Sequence, residues 1–572
     1  MSAPSPTVEA RIPASLRASV DEQLARAQSS QVARRLRDGD ATLWAPAGTP
    51  EVANRLGWLT IAERMLAEVG AIELFAAEAH DAGLRDVVLL GMGGSSLAPE
   101  VLRRSFEGQV RGPRLHVLDS TDAAMIRAVQ DAVDLQSTLF IVSSKSGGTI
   151  EPLSLFAHFF SLVLDGKSFV AITDPGSGLE QLAGEYGFRH TFAGDPDIGG
   201  RYSALSAFGI VPAALMGVDV RSLLAGAAGA WETGVSDAAA TPSVPDAAGI
   251  WLGAVLSALA RGGRDKLTFV ISETLPGLGL WLEQLVAEST GKHGTGILPV
   301  AEEPVGEPAV YGEDRVFAYL PDLNVPDPVL EARVDALAAA GHPLITIPTR
   351  GPLDLGRVFL LAELAVAVAG WGLEINPFDQ PNVQQAKDAT KRVLAGYEAD
   401  HELPGEVDAD EAALLSLLLD SAPPHYVALM AYSEPSSEFD EAVAELRTAI
   451  RGATTATTTF GYGPRFLHST GQFHKGGPKS GRFLQLLHDG PADVDIPGAP
   501  YTFTTLKNAQ AIGDLNTLRE LGLPAERVRL AAEDPVGAVR ELTARIRAAR
   551  PDQVRPGGAP ANQPSRPDAG SR

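Results

Sequence analysis

Over the first eighty or so positions apolar residues recur every three or four, as in VANRLGWLTIAERMLAEVGAIELFAAEAHDAG, and this spacing predicts a helical segment over residues 1–82. From Asp86 the pattern changes. Short apolar runs end in glycine- or serine-rich loops that lead into helix-like stretches: VVLLGMGGSSLAPEVL, LFIVSSKSGGTIEPLSLF and FVAITDPGSGLEQLA. Strands without polar alternation are buried on both faces, so residues 83–240 are predicted to form an α/β unit, a parallel sheet flanked by helices. The stretch SDAAATPSVPDAAG, poor in bulky residues and carrying two prolines, reads as a connection. A second α/β unit follows over 245–395, with a strand at Leu267–Ser272, another in PLITIPT and a long apolar helix from Val358 to Leu373. In a third α/β region, 405–548, YVALMAY, ATTTFGYG and YTFTTL are strand candidates and EFDEAVAELRTAIRG a helix candidate. The pattern leaves open whether this region stands alone or completes the second sheet. The proline-rich tail, 549–572, has almost no large apolar residues and is expected to be disordered.

Composition narrows what such a fold can do. The 45% apolar and 21% charged residues suit buried cores, and a formal net charge of −24 opposes nucleic acid and anionic membrane surfaces. Without any cysteine, disulfides, thiolate catalysis and cysteine-ligated metals are excluded, and no apolar block near the start suggests a secretory signal. The longest apolar stretch, Val358–Leu373, is interrupted by Glu363 and too short to cross ~30 Å of hydrocarbon comfortably. A cytoplasmic protein with neither nucleic acid nor membrane as partner is the expectation.

In a parallel sheet ligands collect beyond the carboxyl ends of strands, where helix N-termini offer free N–H groups. Two loops suit that place. Gly91-Met92-Gly93-Gly94-Ser95-Ser96 would let an oxygen-rich ligand approach its backbone, and Ser143-Ser144-Lys145-Ser146-Gly147-Gly148-Thr149 offers hydroxyls, a cation and glycines suited to a monophosphate. Neither matches a nucleotide signature, and ordinary glycine turns are the competing reading of both. Arg201, beside two glycines in DIGGRYS, can be aimed at a developing oxyanion or form a structural ion pair. Glu288, in AESTGK at the end of an apolar helix, can be a base with a raised pKa or a solvated surface residue, and Lys387 is equally ambiguous.

Taken in order, GMGGSS, SSKSGGT, DIGGRYSALSAFG, ESTGK and NPFDQPNVQQAK resemble the successive signatures of the glucose-6-phosphate isomerase family, which is built from two sugar-isomerase (SIS) domains. The likeness covers about residues 85–392 and is strongest to the isomerase portion of transaldolase/glucose-6-phosphate isomerase fusions. It implies an aldose–ketose isomerase of glycolysis and gluconeogenesis, without metal or redox cofactor, acting on a small sugar phosphate as a homodimer. Carried over by position, Ser144, Lys145, Ser146 and Thr149 would hold the phosphate, and Gly94 and Ser95 would line the sugar. Arg201 would stabilise an enediolate, Glu288 would shuttle the proton between C2 and C1, and Gln380 and Lys387 would contact the sugar end.

The family pattern expects a ring-opening histidine between ESTGK and FDQ, where this chain has only His293 and His342 in unsuitable surroundings. An LHSxGQ-like stretch instead follows FDQ, at Phe466-Leu467-His468-Ser469-Thr470-Gly471-Gln472, so the order looks permuted and His468 is the candidate, with His474 its nearest competitor. The remaining histidines lack metal-ligand spacing and read as structural. A non-catalytic SIS-type sugar-phosphate sensor would need the phosphate loop but neither Glu288 nor Arg201, and an isomerase that also takes mannose 6-phosphate would share all of these residues.

Overall fold

The computed structural model describes residues 7–234, 248–405, 407–491 and 493–549. The expected disordered tail, apart from its first residue, and most of the SDAAATPSVPDAAG connection lie outside that set.

The strands in chain order are β1 (Glu9–Arg11), β2 (Asp86–Gly91), β3 (Arg114–Leu118), β4 (Thr138–Ser143), β5 (Phe169–Thr173), β6 (His190–Ala193), β7 (Lys266–Ile271), β8 (Leu298–Val300), β9 (Arg315–Leu320), β10 (Leu344–Thr346), β11 (Tyr426–Tyr432), β12 (Thr457–Tyr462), β13 (Gly481–Leu487) and β14 (Ala525–Arg529). They form three sheets, ordered β3-β2-β4-β5-β6, β1-β10-β9-β7-β8 and β12-β11-β13-β14. All pairings are parallel except β1 with β10, as in the registers Leu89↔Ile141, Phe269↔Ala318 and Leu429↔Leu484.

The uniformly apolar strands explain the layering. Every residue of β2 and β4 is buried, and alternate side chains enter different cores. Val87, Leu89, Leu139 and Ile141 face the core shared with the N-terminal helices, whereas Val88, Leu90, Phe140 and Val142 pack with Phe503, Leu506 and Ala509. The helix Leu355–Leu373, apolar on every side, lies within the first of these cores, as burial on all faces requires. Among the described residues no helix is long and apolar enough to cross a membrane.

The third region does not complete the second sheet; it builds its own. Two expectations need correction. The outer edge of the second sheet beside β10 is taken by β1, from a lead-in that is therefore not wholly helical. YTFTTL is not a strand either: Phe503–Glu520 is a helix whose N-terminus is capped by Thr502, its hydroxyl accepting from the Thr505 N–H at 3.2 Å. A capping hydroxyl and a buried apolar face here outweigh the strand preference of β-branched residues.

The third unit packs closely on the others. Tyr426, Ala428 and Phe466 share a core with Ala287, Leu298 and Val300 of the second, and the helix Phe503–Glu520 covers one face of the first sheet. This packing carries residues from beyond position 460 to the strand ends of the first two units.

Candidate active site

β2 ends in a turn, Gly93–Ser95, whose two leading residues are glycines for a steric reason. Gly93 sits at φ +55°, and a Cβ there would lie 2.8 Å from the His468 carbonyl oxygen; a Cβ on Gly94 would lie 2.0 Å from the Gly200 carbonyl oxygen. Three chain segments, GMGG, GGRY and FLHS, therefore meet backbone against backbone, closer than any side chain permits.

Arg201 follows directly in the short turn Gly200–Tyr202 and is buried, at 2% exposure. Its Nε donates to Ser289 Oγ (3.0 Å), Nη2 to the carbonyls of Pro377 (2.8 Å) and Asp379 (2.7 Å), and Nη1 to Gln380 Oε1 (3.0 Å) and Glu288 Oε2 (3.2 Å). All five N–H groups of the guanidinium are used, which a lysine could not reproduce. One arginine thus joins the helix Leu278–Thr290, which carries Glu288, to the FDQ turn that opens the helix Pro381–Asp400.

Glu288 is buried at 3% exposure, and that burial pushes its pKa up, with Arg201, Gln284 and His468 partly opposing the rise. One helical turn earlier, Gln284 also donates to the His468 carbonyl (2.9 Å). Beyond the helix, Lys292 is fully buried, donating to the Asn376 carbonyl and pairing with Asp379 at 2.7 Å. Burial and the nearby Arg201 pull its pKa down to about 7. Its contacts give the FDQ turn a second anchor beside Arg201.

The Ser144–Thr149 loop joins β4 to the helix Ile150–Val163, with Thr149 at the helix entrance. Ser144 Oγ donates to Thr149 Oγ1 (3.1 Å), Ser146 is exposed, and Lys145 turns aside, its Nζ donating to Asp174 Oδ2 (2.5 Å) and the Asp195 carbonyl (2.7 Å). Burial pulls the Lys145 pKa down and pushes that of Asp174 up, each partly offset by the other's opposite charge. Glu151, in the first turn of the same helix, is the residue that connects the loop to the remainder. His468 Nε2 lies 2.9 Å from Glu151 Oε1. Burial alone would raise the Glu151 pKa, but His468, with Lys387 beyond it, holds the carboxyl below its ordinary value. An ionised carboxylate can only accept, so Nε2 carries the proton and Nδ1 is the ring nitrogen left for chemistry.

The structure thus brings together Gly94, Ser95, Arg201, Glu288, Gln380 and His468, with Lys387 within electrostatic range of Glu151 and the Ser144–Thr149 loop one turn away. It sends the Lys145 ammonium elsewhere. The competing His474 is enclosed: Nδ1 is 2.9 Å from Tyr426 Oη, and burial, with Lys475 beside it, depresses its pKa to about 3. Sequence reasoning missed Glu151, Gln284 and Lys292. The spacing of Gln284 and Glu288, four apart on one helix face, was a usable signal; nothing local singles out Glu151, whose partner is 317 residues away.

The phosphoglucose isomerase family model matches residues 71–314. The chain is 31% identical over 371 residues to the glucose-6-phosphate isomerase of Rubrobacter xylanophilus, covering 55% of this chain and 84% of that protein. A probable glucose-6-phosphate isomerase of Methanococcus maripaludis is 27% identical, with 56% of this chain and 82% of that one covered. Among solved structures, a hypothetical protein from Thermus thermophilus superposes with a TM-score of 0.56 at 26% identity, covering 68% of this chain and all of that one. A glucose-6-phosphate isomerase from Chlamydia trachomatis shares the fold, with a TM-score of 0.56 at 19% identity over 67% of this chain and 86% of its own. The stretch matched by the family model includes Arg201 and Glu288, and the chain belongs to the glucose-6-phosphate isomerase family.

Proposed function

We propose that this protein interconverts D-glucose 6-phosphate and D-fructose 6-phosphate through an enediolate, with Glu288 as the proton carrier. The observation that carries this reading is the buried Glu288 carboxyl, raised in pKa, beside a guanidinium whose Nη1 faces it at 3.2 Å. Moving a proton between adjacent carbons needs one base that takes it from C2 and returns it at C1, and a base of raised pKa is better matched to that task. The negative charge that develops on oxygen needs a fixed cation. Arg201 is held rigidly enough to serve, and Nη1, shared between Glu288 and Gln380, is the corner where a substrate oxygen can replace a side-chain acceptor.

The ring must open before C2 can lose its proton. His468, held by Glu151 through Nε2, directs Nδ1 toward that step. Ser144, Ser146 and Thr149 hold the phosphate, assisted by the helix that begins at Ile150. Lys387, without a hydrogen-bond partner among the described residues, supplies positive charge near the sugar, and Gly94 and Ser95 form its wall. The Lys145 ammonium, engaged by Asp174 and the Asp195 carbonyl, is not among the groups that hold the phosphate. The test is a coupled assay from fructose 6-phosphate: the parent enzyme turns over, and Glu288→Gln loses at least ~10³-fold in kcat, of the order expected for general-base removal combined with loss of the paired charge. Turnover within tenfold of the parent overturns the assignment.

A further inference from the structure

The carboxylate that holds His468 is itself held from the third unit. Gln510, 2% exposed on the helix Phe503–Glu520, donates Nε2 to Glu151 Oε1 at 2.7 Å, the same oxygen that receives His468 Nε2. An amide can turn either end toward a neighbour, and a carboxylate accepts only from the nitrogen end. The carboxylate therefore sets the orientation, and Thr121, fully buried just after β3, completes it by donating Oγ1 to the other end of the amide, Gln510 Oε1, at 2.8 Å. The direction of every hydrogen bond in the row Thr121, Gln510, Glu151, His468 then follows from the Glu151 carboxylate.

The segment that supplies Thr121 is also where the third unit docks. Asp119 takes a bidentate pair of bonds from Arg465, Nε and Nη2 each at 2.8 Å, three residues before His468. Asp122 pairs with Lys507 at 2.8 Å, one helical turn before Gln510. Residues 119–122 therefore grip both the turn that carries His468 and the helix that carries Gln510.

We infer that Gln510, braced by Thr121, is a positioning residue for ring opening: it fixes the Glu151 carboxylate so that His468 keeps its proton on Nε2 and presents Nδ1 to the sugar. The inference rests on the isomerase reading of His468 and deepens it. Gln510 does not touch the reacting atoms, so its loss should spare substrate binding and the C2 proton transfer itself. It should slow the step in which the ring opens, and ring opening followed by reclosure interconverts the α and β anomers of glucose 6-phosphate.

The experiment compares the parent with Gln510→Met, similar in length but unable to donate, and with Thr121→Val and Thr121→Ser. Anomer interconversion is followed by NMR exchange, KM by the coupled assay, and the His468 tautomer by imidazole ¹⁵N NMR, with His468→Gln locating the signal. The expected result for Gln510→Met is roughly tenfold slower anomerisation at unchanged KM, as for loss of a charge-assisted bond, with an Nε2–H signal that becomes a tautomer average. Thr121→Val, which loses a neutral bond, should slow anomerisation about threefold in the same direction. Thr121→Ser should behave as the parent. Anomerisation within twofold of the parent in both variants overturns the inference, as does a uniform loss of rate and binding with the imidazole signal unaltered. In either of those cases a dead Glu288→Gln enzyme leaves the isomerase reading standing, whereas normal anomerisation in His468→Gln removes the histidine from that reading.

Discussion

Replacing Arg201 by lysine keeps the charge and tests whether the geometry matters. The guanidinium makes five hydrogen bonds, to Ser289, Pro377, Asp379, Gln380 and Glu288, and an ammonium has three N–H groups. At least two of these acceptors lose their donor; Ser289, Pro377 and Glu288 are the buried ones. The Pro377 and Asp379 carbonyls hold the FDQ turn, and the remaining acceptors line the reaction site, so no choice of three bonds preserves both. At about 1–3 kcal/mol for each buried group left unpaired, one or two such losses come to about 1–6 kcal/mol. Part of this appears as lowered stability and part as lost stabilisation of the transition state, for which a single misplaced electrophile is worth about 3–4 kcal/mol, or 10²–10³ in kcat. Thermal unfolding by circular dichroism and kcat from the coupled assay separate the two parts. The expected result is a fall of several degrees in Tm with kcat down at least ~10²-fold. An enzyme with normal kcat and lowered Tm would mean that Arg201 is only a brace, and the proposed enediolate clamp would be wrong.

Other outcomes follow from the same geometry. Thr149→Val removes a hydroxyl from the phosphate loop and should raise KM about tenfold with kcat little altered, read from the coupled assay. Gly94→Ala forces a Cβ to within 2.0 Å of the Gly200 carbonyl oxygen, so the turn carrying Arg201 must move away from the Gly93–Ser95 turn, and kcat should collapse further than Tm falls. Two buried glutamates give opposite slopes of stability with pH. Although burial alone would raise it, Glu303 is brought down to about 2 by Arg315, Arg451 and Arg447, so it stabilises the fold above its ordinary 4.5 and loses that contribution as pH falls toward 2. Glu283, pushed up to about 8 by burial and by Glu302, contributes fully below 4.5 and loses its contribution as pH rises through 8. Denaturant midpoints of Glu283→Gln should therefore gain on the parent between about pH 6 and pH 9, while those of Glu303→Gln should lose relative to the parent above about pH 5.

What the sequence disclosed and what it hid divide along range. The strand, loop and helix units around β2, β4 and β5 were legible because two-sided burial writes itself as an unbroken apolar run. The glycine turns were legible because no other residue can pack as Gly94 does. The third unit was harder to read. β13, GRFLQLL, carries a glutamine, Gln485, whose amide donates to the Ala511 carbonyl at 2.9 Å and accepts from the buried Arg527 of β14 at 2.7 Å, so a polar residue masks an internal strand. The helix at Phe503 was hidden by its threonines, Thr502 as the cap and Thr504 and Thr505 in the first turn. Glu151 could not have been found by spacing, because its meaning comes from His468 and Gln510, and only the packing of the third unit on the first brings the three together.

The central claim is that one carboxylate carries the proton from C2 to C1, and isotope transfer tests it most directly. With glucose 6-phosphate deuterated at C2 and the reaction run in ordinary water, a fraction of the deuterium should arrive at C1 of fructose 6-phosphate and the rest should exchange with solvent. Both processes should vanish together in Glu288→Gln. Deuterium transfer persisting at the parent rate in that variant would show that another group moves the proton.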